Sequence, residues 1–184
     1  MADKKAILVV ASGMKLTDAG SALDKLNKKA AVLVNADASG LADKAVALGG
    51  VQTDAVGLAA TLEKNVLAVT AGMAEVVGAA LEAANRRTVV VVAADDGVAF
   101  YGMGINGKAG NIARKVNADD IVLTIATLAD LPIGEDCTAG IIYQVLKDPN
   151  LKLNEMIKLQ EALARMESVI ERNNREPWDK HDCA

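Results

Sequence analysis

Aromatic side chains are nearly missing from this chain: Phe100, Tyr101, Tyr143 and Trp178 are the whole set in 184 residues. Its core must therefore be built from Ala, Val, Leu, Ile and Met, side chains small enough for helices to pack closely on a sheet. Histidine is scarcer still, with His181 alone near the end of the sequence. Ser-His-Asp and Cys-His nucleophile pairs both need an imidazole within the fold, so those classes of catalysis are not expected. Cys137 and Cys183 are the only cysteines, too few for a disulfide framework. Positive charge is not in excess either. The net charge is −4, and the basic stripe that nucleic-acid binding requires is missing. No apolar run approaches the ~20 residues of a membrane span, and residues 6–11 are too short for a signal-peptide core. These absences predict a cytoplasmic protein that binds neither nucleic acid nor membrane.

What is present points to a folded α/β chain. Hydrophobic residues make up 52% and charged residues 24%, a balance that excludes disorder and supports a substantial core. Residues 5–11, 30–35 and 88–94 are short continuous apolar runs bounded by charge or turn residues, and each reads as a buried strand. Residues 65–70 read as a further strand. Helical spacing covers residues 17–28, 40–48, 53–64, 71–85 and 138–146. Asp96-Gly97 between residues 88–94 and 98–101 is a hairpin signal of the type I′ kind, so part of the sheet should be antiparallel. Residues 111–116 read as a short helix. Residues 120–126 are β-branched enough for a strand, although Asn117 with Asp120 would equally suit a helix capping box.

The C-terminal stretch has its own pattern. Met156, Leu159, Leu163, Met166 and Ile170 recur at spacings of three and four, a heptad-like seam within a helix over residues 153–173. A seam at the end of an already complete domain predicts homo-oligomerisation, and its two methionines suit an adaptable contact surface. The expected organisation is an α/β ligand-binding domain over residues 1–150, an association helix over 151–174 and a flexible tail over 175–184. The expected fold class is α/β: one three-layer domain with a mixed, mostly parallel sheet, one hairpin near residues 88–102 and a long C-terminal amphipathic helix.

The strongest functional signal is the segment Gly102-Met-Gly104-Ile-Asn106-Gly107-Lys108-Ala-Gly110-Asn111. Glycine serves where the backbone takes positive φ or comes close to a neighbour, so the segment reads equally as a bend packed closely on a neighbouring helix or subunit and as a loop that contacts an anionic ligand. Read as a loop opening the helix at 111–116, the segment would point bare N–H groups at an anion, with Lys108, Arg114 and Lys115 adding charge. It matches G-x-G-x-x-G formally. A dinucleotide site, however, wants that motif after the first parallel strand, with an acid about twenty residues on. Gly104 to Gly110 also resembles the glycine segment of the dihydroxyacetone kinases over seven residues. That family has histidine where this chain has Asn106, and its covalent substrate attachment is therefore not implied here.

Ligands of open α/β sheets lie beyond the carboxyl ends of the strands. That rule selects Ser12, Gly13 and Lys15 after the first strand, Asn35 and Asp37 after the second, and Asp130, Glu135, Asp136 and Cys137 after the strand read at 120–126. If these segments converge, Asp130 or Asp136 with Lys108 would supply carboxylate and cation for group transfer. Cys137 reads first as a small buried apolar side chain; at a helix start it would instead have a lowered thiol pKa. His181 with Asp179, Asp182 and Cys183 is a short run of metal-ligand types in the tail. The expected function is a small enzyme taking a phosphorylated, nucleotide or carboxylate ligand, with Mg²⁺ accompanying a nucleotide. The alternative is a non-enzymatic oligomeric binding or regulatory subunit.

Overall fold

Alternating runs of apolar strand and amphipathic helix lay down one central sheet. The computed structural model describes residues 4–18, 20–135 and 137–174. It divides into two units, Met1–Pro149 and Asn150–Ala184. In the first unit the elements are β1 (Lys5–Ala11), α1 (Ser21–Lys29), β2 (Ala31–Ala36), α2 (Leu41–Ala47), β3 (Val51–Gln52), α3 (Leu58–Lys64), β4 (Leu67–Ala71), α4 (Ala74–Ala83), β5 (Thr88–Ala94), β6 (Gly97–Gly102), β7 (Gly110–Val116) and α5 (Ala118–Ala129). A 3₁₀ turn, Tyr143–Val145, follows. The second unit holds α6 (Leu151–Asn174).

The seven strands lie in the order β3-β4-β1-β5-β6-β2-β7. All run the same way except β6, which is antiparallel to both of its neighbours. The fold class read from the sequence is thus the observed one: mixed, mostly parallel α/β, with a hairpin at β5–β6. Side chains on one face of the sheet, such as Leu8, Leu33, Val91 and Phe100, pack with Leu41 of α2 and with Ile121 and Ile125 of α5. The other face, through Ile7, Val9, Val90 and Val92, packs with Leu23 and Leu26 of α1, Leu58 of α3 and Val77 of α4. Removing this aliphatic surface from water is the main drive to fold.

Four local expectations are corrected. Residues 111–116 form the edge strand β7, not a helix. Ile112, Arg114 and Val116 alternate with the more exposed Asn111, Ala113 and Lys115, a period of two that pairs along β2. Charged side chains on it guard the sheet edge. Residues 120–126 lie inside helix α5, not in a strand. The capping box is present: Asn117 Oδ1 accepts the Asp120 N–H at 2.9 Å, and Asp120 Oδ2 accepts the Asn117 N–H at 3.4 Å. Burial of Ile121, Ile125 and Leu128 at helical spacing outweighs β propensity here. Thr124 and Thr127 donate their hydroxyls to the carbonyls of Asp120 and Leu123, so neither is left unsatisfied.

Helix is also missing from most of residues 138–146, which hold only the 3₁₀ turn at Tyr143–Val145. This segment is strapped to its neighbours. Gly140 N–H donates to Asp120 Oδ1 at 2.8 Å, Ile142 N–H to Thr124 Oγ1 at 3.0 Å, and Arg114 Nη1 to Gln144 Oε1 at 3.0 Å. Finally, the β5–β6 turn is Asp95–Asp96, since Ala94 pairs with Gly97. Neither aspartate has positive φ, so the turn is not of the type I′ kind.

Helix α6 carries the expected seam. Met156, Leu159, Leu163, Met166 and Ile170 are each more than half exposed. No helix among the described residues is long and apolar enough to cross a membrane.

Candidate functional site

The glycine segment takes its position from strand order. β6 runs against its neighbours, so it ends at the amino ends of the parallel strands. β7 begins at that same end, but on the far side of β2. The connection between them must therefore cross over the start of β2, where α1 feeds in. At the crossing, a Cβ on Gly107 would lie 2.9 Å from the Lys29 carbonyl oxygen. A close backbone approach of this kind requires glycine. Gly104 sits against Leu128 of α5, where a Cβ would fall 2.7 Å from a leucine methyl.

Several backbone donors of the loop are committed to the fold. Met103 N–H donates to Thr88 O at 3.0 Å, Asn106 N–H to Val145 O at 2.8 Å, Lys108 N–H to Asn106 Oδ1 at 3.2 Å and Ala109 N–H to Asn106 O at 3.0 Å. Ile105 pairs with Leu146 in an antiparallel bridge, and the Lys147 N–H donates to Gly104 O at 2.9 Å. With no helix at 111–116, there is no helix N-terminus behind this loop to hold an anion.

Side chains supply the positive charge instead. A cavity of about 610 Å³ opens beside the loop, lined by Lys29, Tyr101, Gly102, Ile105, Asn106, Gly107, Lys108 and Lys147. Three lysines from three distant parts of the chain meet there. Lys29 arrives at the end of α1, Lys108 on the loop, and Lys147 on the strap that pairs with the loop. None of the three forms an ion pair with a described residue, and no carboxylate among the described residues lines the cavity. Lys29, Lys147 and Tyr101 carry no motif of their own. Only the crossing geometry, which depends on strand order, assembles them.

The other expected site residues lie elsewhere. Ser12, Gly13 and Lys15 follow β1 at the carboxyl end of the sheet, opposite the loop. There the chain's own carboxylates take the place a ligand anion would take. Gly13 N–H lies 3.1 Å from both Asp95 carboxylate oxygens, and Asp96 accepts from Leu16 N–H at 2.7 Å and Thr17 Oγ1 at 3.2 Å. Lys15 gives its N–H to Asp18 at 2.8 Å. Asn35 Nδ2 donates to Ala113 O at 2.9 Å, tying β2 to β7 beside a register shift. Asp37 accepts from both the N–H and the hydroxyl of Ser39. These two bonds, the side-chain one foremost, hold its carboxyl below the usual range, and Lys115 and Lys44 add to the effect.

Asp130 follows helix α5, not a strand, and pairs with Lys4 at 2.7 Å beside the start of β1. It does not line the lysine cavity. Arg114 is held by the strap and does not reach the cavity either, while Gly110 and Asn111 line a separate hollow of about 260 Å³ on the α1 face. Cys137 is free and exposed, without a helix start beneath it. Asp136 and residues 175–184, including His181, lie outside the described residues. Among the described residues no group of three or more His, Cys, Asp or Glu is placed to hold a metal ion. Gly102, Asn106, Gly107 and Lys108 are thus brought to one cavity, and the remaining expected residues that the structure describes are not. No protein-family model, no curated protein and no solved structure matches this chain.

Proposed function

We propose that the protein binds a small anionic ligand in the cavity beside the glycine loop. The observation that carries this reading is the meeting of Lys29, Lys108 and Lys147, with neither an ion-pair partner nor a lining carboxylate among the described residues, in a chain of net charge −4. Like charges gather at a cost unless an anion offsets them. Its volume falls within the usual range for small-ligand sites. Lys108 keeps the charge-neutralising role expected of it. No carboxylate or imidazole among the described residues lines the cavity to take a proton in group transfer, so the non-enzymatic binding subunit is the better-supported form of the proposal. The seam of α6 is the proposed contact for homo-oligomerisation, because five apolar side chains in heptad spacing suit a second helix of the same kind.

A thermal-shift screen against nucleotides, sugar phosphates, pyrophosphate and carboxylates, with and without Mg²⁺, tests the binding reading. A ligand at a hundred times its Kd adds about 2.7 kcal/mol of stability. The shift should vanish in Lys108→Gln. A screen without a single responding anion refutes the proposal. Light scattering tests the association reading, and Leu159→Glu with Leu163→Glu should reduce the assembly to a monomer.

A further inference from the structure

Among the described residues, Tyr101 is the one aromatic side chain that lines the lysine cavity. It also lines two further hollows, one of about 260 Å³ between α1 and α4 and one of about 500 Å³ beside the start of β5. The ring therefore stands where three depressions meet. Its hydroxyl makes no hydrogen bond to a described residue. Phe100, its neighbour on β6, points to the opposite face and is fully buried. Ile105, only 7% exposed, gives the cavity an apolar patch beside the ring. Lys25 and Arg86 line the two further hollows, against a single acid, Glu82. An apolar, aromatic-walled space ringed by cations is larger than a bare phosphate needs and offers an inorganic anion nothing to fill it.

We infer that the ligand is a nucleotide-class anion, a planar heteroaromatic ring joined to a phosphate chain. Its ring lies against Tyr101, and its phosphates lie among Lys29, Lys108 and Lys147. The inference rests on the anion-binding reading above and names its ligand class.

Calorimetric titration of the full chain with pyrophosphate, ADP, GDP and UDP at equal ionic strength separates the two. Stacking on an aromatic side chain should make at least one nucleotide bind about tenfold tighter than pyrophosphate. Tyr101→Leu should erase that preference, bringing nucleotide and pyrophosphate affinities within about twofold of each other, while Tyr101→Phe, which keeps the ring, should retain it. Circular dichroism of both variants confirms that the fold persists. Pyrophosphate bound as tightly as every nucleotide, or a preference that survives in Tyr101→Leu, overturns the nucleotide inference and leaves the anion reading standing. If none of the four binds, both fall.

Discussion

Replacing Gly102 by alanine should damage this fold far more than the same change at Gly110, although both have positive φ in one loop system. Gly102 has φ +97°, and a Cβ there would lie 2.5 Å from the Thr88 carbonyl oxygen, a backbone atom of the neighbouring strand that cannot swing away. Left-handed backbone costs an L-residue about 1–2 kcal/mol. Forcing apart packed atoms adds about 1–3 kcal/mol. The sum, about 2–5 kcal/mol, corresponds to a fall in melting temperature of about 4–20 °C for a domain of this size. Gly110 has φ +60° with open space where its Cβ would be. Only the backbone term applies there, and it is partly offset by the lower entropy of the unfolded alanine chain, about 0.4–1 kcal/mol. Scanning calorimetry of the two variants reads the difference. Equal, small losses at both positions would refute the argument that Gly102 exists for close backbone approach.

Three other outcomes turn on named side chains. Thr70 on β4 is 3% exposed, and its hydroxyl has no partner among the described residues, so Thr70→Val should stabilise by about 1 kcal/mol in urea denaturation. Asp37, with its pKa lowered, contributes stability that is present above the ordinary carboxylate value of 3.8 and is lost as pH falls through its own lower value. Asp37→Asn should therefore remove part of the acid-side loss of stability, which melting curves from pH 6 down to pH 2 would show. On α6, the double substitution of Leu159 and Leu163 by Glu should abolish the proposed homo-oligomerisation, which light scattering reads, because both side chains belong to the exposed apolar seam.

The buried strands were legible because four of them are continuous apolar runs, a pattern that a central parallel sheet requires on both faces. The hairpin was legible from turn residues between two such runs. What misled is local chemistry that tertiary context overrides. Asp120 to Ala126 is rich in β-branched residues, yet its side chains at helical spacing fill one face of the sheet core, so α5 forms. Asn111 to Val116 is too short for its period of two to stand out against a helical reading. The site was half legible. Glycine spacing marks the loop, but the reason first assigned to it, exposed N–H groups at a helix start, fails with the helix. Lys29 and Lys147 lie far along the chain on either side, and only the passage of the loop across β2 gathers them.

The central claim is that the lysines of the cavity, and not the charge of the chain at large, hold an anion. Pyrophosphate titration of two triple variants of equal net charge tests it: Lys29, Lys108 and Lys147 to Gln, and Lys64, Lys115 and Lys158 to Gln. Each lost charge-assisted bond removes about 1.5–3 kcal/mol of interaction. The cavity variant should therefore bind at least about a hundredfold more weakly, and the control within about twofold of the unmodified chain. Equal weakening in both variants, or none in the cavity variant, would contradict the account.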